Sequence, residues 1–72
     1  MNPIPIPSHQ YYEQLLRILE QQTLPAVETQ DYNNRHRTQE VIITIRKALS
    51  LQRQLEADWQ QRGLPLREQS PS

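Results

Sequence analysis

Few residues in this sequence could do chemistry. It holds two histidines, His9 and His36, eight carboxylates and four serines, and no cysteine. An acid–base pair or a metal site needs such groups gathered in a concave pocket. His9 opens the first helical stretch and His36 opens the second. Two helices folded back on each other put these positions at opposite ends, so the imidazoles should not share a metal. No HExxH, CxxC, GxGxxG or Walker-type spacing occurs. His36, between Arg35 and Arg37, reads as a solvated loop residue. The expectation is a protein that is not an enzyme, with no cofactor, no metal and no small-molecule substrate.

The other chemistry on offer is electrostatic. Arg35 and Arg37, with Arg46, Lys47 and Arg53 further along, could touch the phosphates of a nucleic acid. Eight basic residues balance eight acidic ones, however, and net charge is zero. Arg46 and Lys47 fall on the outer face of their helix, where solvated charges are ordinary. No aromatic platform is interleaved with the basic residues. A nucleic-acid-binding accessory protein is kept as the alternative reading, and nucleic acid is the weaker partner.

The element that must position all of these residues is Asn34 to Arg62. Neither Gly nor Pro occurs within it. With about 100° per residue, Val41, Ile45, Ala48, Leu55 and Trp59 fall on one stripe, with Ile42 and Leu49 flanking. The spacing alternates four and three, a heptad seam with one polar member at Gln52. Val41 to Ile45 alone would suit a strand, but helix formers surround it and no turn residue bounds it. Gly63 suits the left-handed position after a helix, and Pro65 forbids continuation. Asn33 or Asn34 can cap the start.

Before it, Ser8 reads as an N-cap for a helix from His9 to about Gln22. Tyr11, Tyr12, Leu15, Leu16, Ile18 and Leu19 share one face about 160° wide. Thr23 to Glu28 is either a continuation kinked at Pro25 or a short third helix. Gln30 to Arg35 is rich in turn formers and makes the connection. Residues 1–7 alternate Pro with Asn or Ile, which blocks helix and favours an extended arm. That arm is either a ligand for a polyproline-binding groove or, preferred, a cover for the protein's own helices through Ile4 and Ile6. The sequence thus reads as all-α: an antiparallel helical hairpin over 9–63, an extended Pro-rich arm over 1–8, and a partly disordered tail over 64–72.

Seventy-two residues without disulfides bury only a small core. That argues for a protein partner or self-association. Ile43, Leu51 and Trp59 lie away from the centre of the apolar stripe or at its end, and are the candidate partner interface. A dimer would give a four-helix bundle with Gln52 setting register. No stretch approaches the roughly 18–20 apolar residues of a membrane span, and no signal-peptide pattern opens the chain. A cytoplasmic protein is expected.

Three segments carry a family resemblance: Pro3 to His9, Leu15 to Val27, and Val41 to Leu49 leading to Gly63, Leu64 and Pro65. They resemble a small family of uncharacterised cyanobacterial proteins. The resemblance covers nearly the whole chain. It implies a cyanobacterial origin and carries no activity or site residue.

Overall fold

The computed structural model describes residues 2–70. Strand β1 (Ile4–Pro7) leads into helix α1 (His9–Ile18), a π-helical turn (Leu19–Thr23) and helix α2 (Leu24–Gln30). A 3-10 turn (Tyr32–Asn34) precedes the long helix α3 (Arg35–Gln61), and strand β2 (Leu66–Gln69) follows it. The molecule is mostly helical. The run Val41–Ile45 lies wholly inside α3.

Ser8 caps α1 as its residue type suggests. Its backbone is extended (φ −63°, ψ 142°), and its Oγ accepts a hydrogen bond from the Gln10 N–H at 3.2 Å. Its own N–H donates to the Gln69 carbonyl at 2.9 Å. One residue therefore ends the sheet and starts the helix, and it is almost fully buried.

The helical path continues from α1 to α2. Ile18, Thr23 and Leu24 all keep helical dihedrals. Pro25 sets the turn between them. Proline lacks an N–H, and its ring clashes with the carbonyl four residues back. A π-helical turn relieves this by moving hydrogen bonds to the fifth residue back, as the Leu24 N–H does in bonding to the Leu19 carbonyl. The connection is fastened by Asn34 Nδ2 donating to Asp31 Oδ2 at 2.6 Å. Asn34 thus precedes α3 as expected, but its side chain makes no cap hydrogen bond.

At the other end of α3, the Gly63 N–H donates to the Gln60 carbonyl and the Leu64 N–H to the Trp59 carbonyl, at 3.1 and 3.0 Å. This paired closure requires a left-handed residue, and Gly63 has φ +78°. The chain then reverses into β2, which pairs in parallel with β1, Ile4 opposite Leu66 and Pro7 opposite Gln69. A parallel pair needs a long crossover between its strands, and here the whole helical region supplies it.

The sheet corrects two expectations. The fold is not purely α, and the tail expected to be disordered forms a strand over 66–69. Pro71 and Ser72 lie outside the described residues. The physical reason lies in the alternation of prolines. Pro5 and Pro7 have no N–H to donate, so the donors of the arm sit at Ile4, Ile6 and Ser8, on one edge. The Ile4 and Ser8 N–H groups bond the Pro65 and Gln69 carbonyls, both at 2.9 Å. Prolines on the opposite edge blunt it against further pairing.

The buried apolar residues are few: Ile6, Ile42 and Leu49, with Glu56 beside them. The overall extents of 51 × 24 × 13 Å explain why. A helix with its side chains is about 10–12 Å across, so the molecule is one helix thick.

The apolar stripe centred on Val41 also needs correcting. Val41 and Leu55 are exposed, and the covered line on α3 runs through Thr38, Ile42, Ile45, Leu49, Gln52, Glu56 and Trp59. Every member of that line is buried or half-buried. It is a heptad seam turned from the one expected, because a glutamate sits in it. His9 and Gln52 partner Glu56, which an apolar count cannot foresee.

Candidate interaction surface

Side-chain links between the two halves of the helical region are few and well spread. His9 Nε2 lies 3.0 and 3.1 Å from the two carboxylate oxygens of Glu56. Gln52 Nε2, one turn back on α3, donates to the same carboxylate at 2.9 Å. Further along, Arg46 pairs with Glu20, and Arg35 Nε donates to Glu28 at 3.1 Å. The partner number falls as the first rises: 9 with 56, 20 with 46, 28 with 35. The acidic first arm and basic second arm thus do meet, at Glu20 and Glu28.

The histidines are kept apart. His9 sits against Glu56, and His36, exposed as expected but in the first turn of α3 rather than in a loop, pairs with Glu40 at 2.8 Å. Among the described residues no three His, Cys, Asp or Glu side chains gather as a metal would need. The cluster of His9, Gln52 and Glu56 holds the start of α1 against α3.

The basic residues of the alternative reading are partly committed. Arg35 and Arg46 are ion-paired across the molecule. Arg37, Lys47 and Arg53 are exposed along α3. The five therefore do not form one free basic patch.

The candidate partner residues are placed as follows. Ile43 is 63% exposed and lines an open groove with Glu20, Leu24, Gln39, Ile42 and Arg46. Leu51 is exposed on another part of the α3 surface. Trp59 is half-buried, at the end of the covered seam. Eight residues separate Ile43 from Leu51, about 80° on a helix, so they flank the outer side of α3.

The larger apolar feature runs along both helical halves. Tyr11, Leu15 and Ile18 on α1, and Val41, Leu51 and Leu55 on α3, are each 40–54% exposed. Their spacing is the informative part. On α1 the half-buried residues Tyr12, Leu16 and Leu19 face inward, and the exposed Tyr11, Leu15 and Ile18 each stand one residue before them. On α3 the covered Ile42, Leu49 and Glu56 are preceded by Val41, Ala48 and Leu55. Each helix therefore carries two heptad seams, one covered and one open, offset by one residue. That offset is a turn of about 100°. The wide apolar face of α1 held the signal in the sequence, since one neighbour cannot cover 160° of a helix.

The molecule is thin and mostly helical, with one polar cluster joining its two helical halves and an open apolar seam on each helix. Among the described residues no helix is long and apolar enough to cross a membrane. The chain belongs to the family of unknown function DUF5340, whose model matches residues 1–69. It is similar to an uncharacterized 9.3 kDa protein in the soluble hydrogenase 5′ region of Anabaena cylindrica, 40% identical over 60 residues, which cover 83% of this chain and 72% of that protein. That cyanobacterial relative agrees with the resemblance seen in the sequence. No solved structure matches.

Proposed function

We propose that the protein is a non-catalytic, cytoplasmic interaction or assembly module, an antiparallel helical hairpin that binds a protein partner through its open apolar seams. The falling order of the cross-links, from His9–Glu56 to Glu28–Arg35, supports the antiparallel reading. The observation that carries the function is the open seam itself. Six large apolar side chains on two helices remain about half exposed, while three apolar residues are buried among the described residues. Exposed apolar patches of this continuity mark association surfaces.

Of the interface expected at Ile43, Leu51 and Trp59, this face keeps Leu51, adds Val41, Leu55 and α1, and leaves out Ile43 and the half-buried Trp59. The test is Leu55→Glu with Leu15→Glu in the full chain. The variant should keep its helical circular dichroism and lose every association the parent chain makes, with itself or with protein retained from a cell extract. An association that survives both charges sinks the reading.

A further inference from the structure

We infer that the open seam of α3 docks on the same seam of a second copy, antiparallel, about a two-fold axis at Ala48; this rests on the hairpin and interaction reading above. The seam is Arg37, Val41, Thr44, Ala48, Leu51, Leu55 and Asp58. About its middle it has one matched apolar pair, one Thr–Leu pair and one pair of opposite charges. Val41 and Leu55 stand seven residues either side of Ala48. Thr44 is four before and Leu51 three after. Arg37 is eleven before and Asp58 ten after.

An isologous interface needs this symmetry, since each residue i meets j while j meets i. With Ala48 on the axis, Val41 of one copy meets Leu55 of the other, and Thr44 meets Leu51. Arg37 of one copy comes beside Asp58 of the other at both ends. The ends are charge-complementary, and the middle carries no charge. Ala48, the smallest side chain of the seam, stands where two antiparallel helices approach closest. Opposite charges at the two ends of the seam are what favours a second copy laid antiparallel on it.

The seam of α1 opens on the same side. Each open seam is turned by the same one residue, in the same sense, from the line where the helices touch. In antiparallel rods equal turns of one hand lead to one side of the pair. Tyr11, Leu15 and Ile18 therefore join Val41, Leu51 and Leu55, and α1 has no charged member in its seam. At on the order of 80 Å² each, the six expose about 500 Å² of the 5600 Å² surface, so two copies would bury about 1,000 Å² in all, the lower end for a specific interface. Thr44, Ala48 and Gln22 widen it.

Single thiols in this cysteine-free chain test the register. Ala48→Cys should oxidise to a covalent dimer about tenfold faster than Ser50→Cys, because a disulfide requires Cα atoms within about 7 Å. Accessibility alone gives the opposite order, since Ser50 is exposed and Ala48 half-buried. Sedimentation equilibrium of the parent chain should give twice its 8.6 kDa mass, and Arg37→Glu should weaken the dimer while added Asp58→Lys restores it. Faster linkage at Ser50, or a parent that stays at monomer mass at every concentration, overturns the proposal. If the parent is monomeric but Leu55→Glu with Leu15→Glu abolishes binding of another protein, only the choice of occupant falls. If no association depends on the face, the interaction reading falls with it.

Discussion

Two lines of residues one position apart on α3 have opposite fates. Thr38, Ile42, Ile45, Leu49, Gln52, Glu56 and Trp59 are all covered to some degree, while Arg37, Val41, Thr44, Leu51, Leu55 and Asp58 are exposed. Their apolar content is similar. The difference is that the covered line holds a polar residue with a partner on the other helical half: Glu56 meets His9 of α1 and Gln52 of its own helix. The lesson is that hydrophobicity supplied two candidate seams and polar complementarity chose between them. The open line ends in charges that have no cross-helix partner among the described residues, Arg37 at one end and Asp58, paired only within α3 to Arg62, at the other.

The widest gap between the lines should appear in the core. Leu49→Asp places an unpaired carboxylate in the buried line and should cost several kcal/mol. A chain of this size has little surplus stability, so the variant should lose its helical circular dichroism at room temperature. A folded Leu49→Asp variant would show that the covered line is wrongly assigned.

Next comes the polar lock. Glu56→Ala leaves the His9 imidazole and the Gln52 amide without their shared acceptor and should cost about 1–3 kcal/mol. Glu56→Gln keeps an oxygen for the hydrogen bonds and should cost less. Thermal melts of the two variants measure the difference. Equal losses would mean that the negative charge or the second acceptor oxygen, which glutamine lacks, rather than the side chain's volume, keeps that place in the seam.

The cross-helix ion pair ranks third. Arg46 is exposed and Glu20 half-buried, and pairs near the surface contribute about 0–1 kcal/mol. Arg46→Ala should therefore lower stability slightly, with most of the loss already gone in high salt. A loss that persists at high salt would assign the effect to the packing of the Arg46 stem over Ile42 and Ile43.

Much of this architecture was legible in the sequence, for identifiable reasons. Ser8, Pro25, Gly63 and Pro65 act through backbone geometry, and each fixes a boundary by itself: a cap, a π-helical turn, a helix end, a stop. The helical period of α1 and α3 was likewise plain. The sheet was hidden because its strands are sixty residues apart, and because alternating prolines look like polyproline rather than a one-edged strand. The seam assignment was hidden because it depends on His9 meeting Glu56 across 47 positions, a pairing that no local window contains. The phase matters on the surface too: Leu51 stands in the open seam beside the exposed Val41 and Leu55, which the stripe centred on Val41 places in the core, and Tyr11, Leu15 and Ile18 stand one position from the covered Tyr12, Leu16 and Leu19.

The smallest expected effect sharpens the comparison most. Leu51→Gln replaces an exposed side chain with another good helix former, so in a dilute solution of separated chains it should change stability by less than about 0.5 kcal/mol. The covered line admits no such substitution. If the open line is an interface between copies, however, folding and association are linked, and the melting temperature of the parent chain must rise with concentration. The variant should then match the parent when dilute and fall progressively behind it as concentration increases. Melting curves of both chains across a wide dilution series test this. Two curves that stay parallel would make the open seam inert in self-association, whereas a gap already present at the lowest concentration would make Leu51 part of the monomer's own packing.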